Sequence, residues 1–401
     1  MQKGYLIVNV YLESEANPVE GASVIVSREN YEETFLTDSS GKTNVISLDA
    51  PPKKYSLTPQ EEVRPYSLYD LSVTKEGLNP VIIKNVEILP EETSIQNVFM
   101  GTPEEVIDLP EHELWGNHEQ KIPEDMIKPE AESFRVLPRV IIPEYIIVHD
   151  GIPTASATNH IVSFIDYIKN VASSEIYSTW PIEAIKANVH AIVSFTLNRI
   201  FTEWYRGRGY SFTITSSPAY DQKYTHNRTI FQTIANVVND YFRYYIRLSG
   251  FNQPLLAQYN DGIKSNNANW LSQWGSKDLA DKGYSALEIL RHYYTQNLGL
   301  YVAEEMIGLP SSFPGFNLSL NSCGSEVQKV QIELNRIRVN YPAIPAISPA
   351  NGIYSDNTRN AVQVFQRVFD LPQTGIVDFA TWYKISYVYS AVAGLAKGIS
   401  T

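Results

Sequence analysis

The stretch Thr358-Arg359-Asn360-Ala361-Val362-Gln363-Val364-Phe365-Gln366, with Leu371-Pro372-Gln373-Thr374-Gly375 and Val377-Asp378 shortly after it, decides the C-terminal fold. Ala361, Val362 and Phe365 fall on one face of a helix, Pro372 cannot continue that helix, and Gly375 supplies the turn. The same grammar repeats on both sides. The pattern predicts helices near Ser325–Arg338, Ser355–Phe369 and Asp378–Ala391, closed by loops at Asn351-Gly352 and Thr374-Gly375. A three-helix module over residues 320–392 is the simplest build.

Toward the N-terminus, residues 140–312 mix helices and strands. Val140 to Val148 reads as an apolar strand pair broken by Pro143. Ile185, Val189, Ile192, Phe195 and Ile200 have helical spacing over Pro181 to Phe201, a second helix is expected from Thr229 to about Arg247, and a shorter one from Ser285 to Tyr294. An α+β domain follows. Residues 101–139 shift in composition: ten acids from Glu104 to Glu132 face only Lys121 and Lys128, and Pro103, Pro110, Pro123 and Pro129 break any helix. That is a linker, and exposed linkers are where proteases cut. An inert acidic spacer has the same composition. Residues 1–100 alternate in short runs (Leu6, Val8, Val10; Ala22, Val24, Val26; Leu71, Val73; Val81, Ile83) between turns at Asn17-Pro18, Asp38 to Gly41 and Glu76-Gly77, as a small β-sandwich does.

Composition narrows the function. The chain has 401 residues, 43% hydrophobic and 19% charged, enough for several cores. A net charge of -12 argues against nucleic acid, whose binding rests on Lys and Arg. No stretch approaches the roughly 20 apolar residues of a membrane span. Met1 to Val10 has neither the apolar length nor the cleavage site of a secretory signal, so delivery outside the cytoplasm would use other means. The lone Cys323 excludes an internal disulfide. The 26 Tyr and 6 Trp suit stacking on sugar rings, although tyrosines also line ordinary cores.

Several motifs carry chemistry. Trp180-Pro181-Ile182-Glu183-Ala184-Ile185-Lys186-Ala187 resembles the opening motif of the SpoIID lytic transglycosylases. In that family's order follow Asp221-Gln222-Lys223-Tyr224, Ala257-Gln258-Tyr259, Leu271-Ser272-Gln273-Trp274-Gly275-Ser276 and Tyr284 to Tyr294. The resemblance implies Glu183 as catalytic acid, with a pKa raised by Trp180, Pro181 and Ile182. It makes Gln222, Tyr224, Tyr259, Gln273 and Trp274 candidates for holding a glycan by amide hydrogen bonds and stacking. Read locally, Glu183 is an acid in a first helical turn, where it suits the dipole. One carboxylic acid suffices for a lytic transglycosylase, whereas a hydrolase normally needs two. Where the family has a zinc-binding cysteine this chain has Asp221, its Gly-His-Gly is replaced around Asn266-Asn267-Ala268, and a helix arginine is Val193. No metal or other cofactor is therefore expected, and His226 could pair with Asp221 instead; His190, His226 and His292 lack metal spacing.

The C-terminal module, with Val327-Gln328, Gln331, Leu334-Asn335, Gly352-Ile353-Tyr354 and Thr381-Trp382, is similar to the peptidoglycan-binding domains of wall hydrolases. The N-terminal Pro18-Val19-Glu20-Gly21-Ala22, Thr37-Asp38, Gly41-Lys42-Thr43 and Lys75-Glu76-Gly77 resemble carboxypeptidase regulatory-like domains, which are transthyretin-like. The order sandwich, acidic linker, SpoIID-like domain and peptidoglycan-binding domain resembles that of the cortex-lytic enzymes of clostridial spores. That resemblance implies a zymogen located in the spore and cut in the linker by a subtilisin-like germination protease. Its substrate would be cortex peptidoglycan carrying muramic δ-lactam. A muramidase, an amidase and a non-catalytic wall-binding protein are the competing readings.

Overall fold

The computed structural model describes residues 2–59, 63–101, 103, 105–112, 137–264, 267–303, 305–307 and 313–394. Most of the acidic linker, with its expected cleavage point, and Asn266 lie outside the described residues. Contacts divide the chain into two units. One comprises Met1–Pro51, Tyr66–Leu109 and Leu309–Thr401; the other comprises Pro52–Pro65 and Pro110–Gly308.

In the first unit the alternating runs form strands. Gln2–Leu12 pairs antiparallel with Ile46–Ala50 and parallel with Thr93–Met100. A second sheet runs Tyr31–Leu36, Ser23–Arg28, Ser67–Thr74, Val81–Ile88 and Glu105–Asp108. Leu6, Val8, Val10, Val24, Val26, Leu71, Val73 and Ile83 share one core between the sheets, because period-2 alternation puts all of them on inner faces. Two features differ from expectation. The strand Glu105–Asp108 pairs parallel with Val81–Ile88, so the sheet continues past residue 100; Val106 and Ile107 do this within a run whose acids read as linker. On the first strand the outward Ile7, Asn9 and Tyr11 are also buried.

The same unit holds helices Ser325–Ile337, Asp356–Val368 and Phe379–Val392 around Val327, Leu334, Ala361, Phe365, Trp382 and Ile385, in the pattern the periodicity predicts. Two buried glutamines close its loops. The Gln331 amide donates to the Ile353 carbonyl and the Thr358 hydroxyl and accepts from the Gly352 N–H. Gln366 does the same with Thr374, Ile376, Thr381 and Gly375. Gly352 and Gly375 have φ of 77° and 65°, a region glycine enters without penalty.

In the second unit, the helices Phe164–Glu175 and Ile182–Phe201 are joined by a short turn, and Gln232–Tyr241, Gln273–Asp281 and Ala286–Tyr293 pack around them. The helix expected to run to Arg247 stops at Tyr241. Tyr244–Leu248 is instead a strand, antiparallel to Leu298–Val302, since its aromatic and β-branched residues gain more from cross-strand packing than from another helical turn. Tyr145–His149 pairs with Asn159–Ser163 and with Ile214–Thr215.

Candidate functional site

Two consecutive helices create the site. The first ends at Glu175, where Ile176 turns extended; Pro181 caps the second, where its missing N–H costs no bond. Glu175 is left fully inside the protein. Its Oε1 accepts the Lys223 backbone N–H at 2.7 Å. Burial pushes its carboxyl up to about 8, against the opposing hydrogen bonds of Tyr259 and Lys223. The Tyr259 hydroxyl faces both Glu175 and the Gln222 amide. Gln222 is itself fixed, accepting from Tyr167 at 3.1 Å and Thr196 at 2.8 Å and donating to the Ile192 carbonyl at 3.2 Å.

The turn that follows Glu175 contributes two rings to an aromatic wall. Trp180 lies 4.9 Å from Trp274 and 5.9 Å from Tyr177, centroid to centroid, and Tyr177 lies 6.1 Å from Trp274. Trp274 is held by the start of its helix, where the Ser272 hydroxyl accepts the Gly275 N–H at 2.9 Å. A Cβ on Gly275 would come within 1.9 Å of the Tyr293 hydroxyl, so a larger residue there would have to displace that ring. Gln273 is buried, and its Oε1 has no hydrogen-bond partner among the described residues.

Two segments cover this wall. In Pro52–Pro65, which lies in sequence between two sandwich strands, the Ser56 carbonyl accepts the Trp180 indole N–H at 2.9 Å, and the Ser56 hydroxyl accepts from Thr179 at 2.7 Å. His112 packs on Tyr177 at 4.8 Å. Trp180 and His112 retain only 3% and 4% exposure.

The other candidates from sequence lie apart from Glu175 or play other roles. Glu183 sits in the first turn of its helix, with Lys186 at 2.8 Å and the Ala286 N–H at 2.7 Å. Partial burial pushes its carboxyl up, but these two partners outweigh that and hold it below the ordinary carboxylate range, opposite to the expected rise. Tyr224 stacks on Tyr167 and bonds His226 at 3.0 Å, and His226 stacks on His160 at 3.9 Å. His226 therefore does not pair with Asp221. Asp221 instead takes Arg199 at 2.7 Å, Tyr205 at 2.7 Å and both the N–H and hydroxyl of Thr215. Arg199, on the long helix Ile182–Phe201, supplies the cation buried against Asp221. Among the described residues no group of three or more His, Cys, Asp or Glu is placed to hold a metal ion.

Sequence reasoning missed Glu175. One signal was present: it is the sole charged residue between Lys169 and Glu183.

Comparison with known proteins adds one assignment. Residues 323–385 match the peptidoglycan binding domain family. This ties the chain to the bacterial cell wall, with peptidoglycan as the partner the module fits. No curated protein matches the chain. Among solved structures, the TIE protein of Bacillus anthracis is 18% identical over 25% of this chain and 16% of its own, at a TM-score of 0.19. A cohesin–X-dockerin complex from Acetivibrio cellulolyticus is 15% identical over 24% of this chain and 56% of its own, at 0.16. The chain thus spans only part of either, and both scores are too low to bear on the fold. Among the described residues no helix is long and apolar enough to cross a membrane.

Proposed function

We propose that this chain is a lytic transglycosylase of peptidoglycan, kept as a zymogen, with Glu175 as its general acid. The observation that carries the proposal is the wholly buried Glu175 carboxyl, raised to about 8 and so protonated near neutral pH. Glu183, held ionised by Lys186, has no proton to give there. Glu175 gives its proton to the glycosidic oxygen as the bond to the anomeric carbon breaks. The resulting carboxylate takes the proton of the muramic 6-hydroxyl, whose oxygen closes on the anomeric carbon as a 1,6-anhydro ring. The acid is regenerated and no water is consumed. Tyr259 orients the carboxyl, Gln222 orients Tyr259, and Trp180, Tyr177 and Trp274 offer ring faces to sugars.

Of the SpoIID-like segments, 221–224 and 257–259 contribute Lys223 and Tyr259 to Glu175, which supports the catalytic reading, and the wall-binding match supports the polymer. The cover laid on Trp180 and Tyr177 by Ser56 and His112 supports a zymogen. With a transthyretin-like sandwich ahead of the linker, the domain order resembles SleC, the germination-specific cortex-lytic enzyme of clostridial spores. The substrate is then cortex peptidoglycan carrying muramic δ-lactam, and the activator a subtilisin-like protease cutting the linker.

Mass spectrometry of products released from spore cortex tests this. A chain beginning near Val136 should release anhydro-muropeptides and the intact chain should not; Glu175→Gln should lower release by about 10²–10⁴-fold. Reducing-end or peptide products would make the enzyme a hydrolase, full activity in Glu175→Gln would remove the residue from its role, and silence from every chain would leave a wall-binding protein.

A further inference from the structure

The wall-binding helices carry a second set of contacts, made to the sandwich in the same unit. The turn after the first strand reaches onto the helical module. There the Tyr341 hydroxyl donates to the Glu15 carbonyl, the Asn340 amide donates to the Ala16 carbonyl at 3.0 Å, and the Glu15 carboxylate meets Lys384 at 2.5 Å. The Ala16 side chain enters the apolar core of the helices themselves. A second contact lies at Asp370, whose carboxylate takes the Lys42 ammonium and, at 3.1 Å, the Asn9 amide. Lys42 also reaches the Arg367 carbonyl. The four charged side chains of these two pairs keep only 13–17% of their exposure, so they are shielded from salt.

This accounts for Asn9, a polar residue on the outer face of a sandwich strand yet only 3% exposed. A sandwich that stood alone would leave that face to water. The contacts join parts of the chain on opposite sides of residues 113–136, so a cut there removes none of them.

We infer that the wall-binding module also serves as a holding site for the N-terminal sandwich, so that after the linker is cut the contacts at Lys384 and Asp370 retain the sandwich alongside those made by Ser56 and His112. Removal of the N-terminal part then takes two steps, scission and release. The inference does not depend on the catalytic reading.

The test uses the full chain with a specific protease sequence inserted within residues 113–136. After complete cutting, the two fragments should co-elute at 1:1 in size-exclusion chromatography at physiological salt. Charge reversal at both contacts, Lys42→Glu with Lys384→Glu, should weaken retention at least about tenfold, and adding Glu15→Lys with Asp370→Lys should restore it. Should the reversed chain fail to fold, Lys42→Met with Lys384→Met gives the same reading with the stems kept. Separate elution of the unmodified fragments would overturn the inference, as would equal retention in the reversed or Met-substituted chain.

Discussion

The helical module at the C-terminus and the unit that holds Glu175 both bury polar side chains, and they satisfy them to different extents. In the module, Gln331 and Gln366 engage both amide groups with neighbouring loops. In the unit that holds Glu175, the hydroxyls of Ser174 and Ser178, the amide of Asn260 and Oε1 of Gln273 have no hydrogen-bond partner among the described residues. A satisfied buried amide fixes a loop at little net cost, whereas an unsatisfied polar group costs about 1–3 kcal/mol. The first interior is arranged for one rigid shape. The second carries a standing cost.

Breaking the satisfied parts should do the most damage. Asp221→Ala strands the buried Arg199 and should lower stability by about 3–5 kcal/mol in chemical denaturation. Next is the pH response of Glu175. In the folded chain it keeps a proton between its ordinary 4.5 and about 8, whereas the unfolded chain has lost it. Its contribution to stability should therefore fall as pH rises through that window, by at most about 1.4 kcal/mol per unit. Glu175→Gln should flatten that slope in melting curves across pH. Gln366→Ala, which frees the Gly375 N–H and three acceptors, should cost about 1–3 kcal/mol by the same melts. The smallest effect is expected of Glu183→Gln, which loses a partly exposed ion pair: under about 1 kcal/mol, with product release retained. If that variant lost all activity while Glu175→Gln kept it, the contrast between the two glutamates would be reversed.

Legibility in the sequence followed the range of the forces involved. The three C-terminal helices and the sandwich strands were readable because periodicity is written in neighbouring residues. Tyr244–Leu248 was misread because its partner, Leu298–Val302, lies about fifty residues away. The aromatic wall was partly foreseen through Trp274, but its junction with Trp180 and Tyr177 requires the helix at 273 to pack against the turn at 177–181.

By itself the sequence determined the helical module, the alternating strands, the acidic linker and the set of residues from which a site could be made. The tertiary structure decided which glutamate holds a proton. Glu183 lies one turn from Lys186, a cation its own helix provides, while Glu175 meets Lys223 and Tyr259 from elsewhere in the chain. A carboxyl's charge depends on the solvent it loses and the partners it meets, and both are set by packing between distant segments.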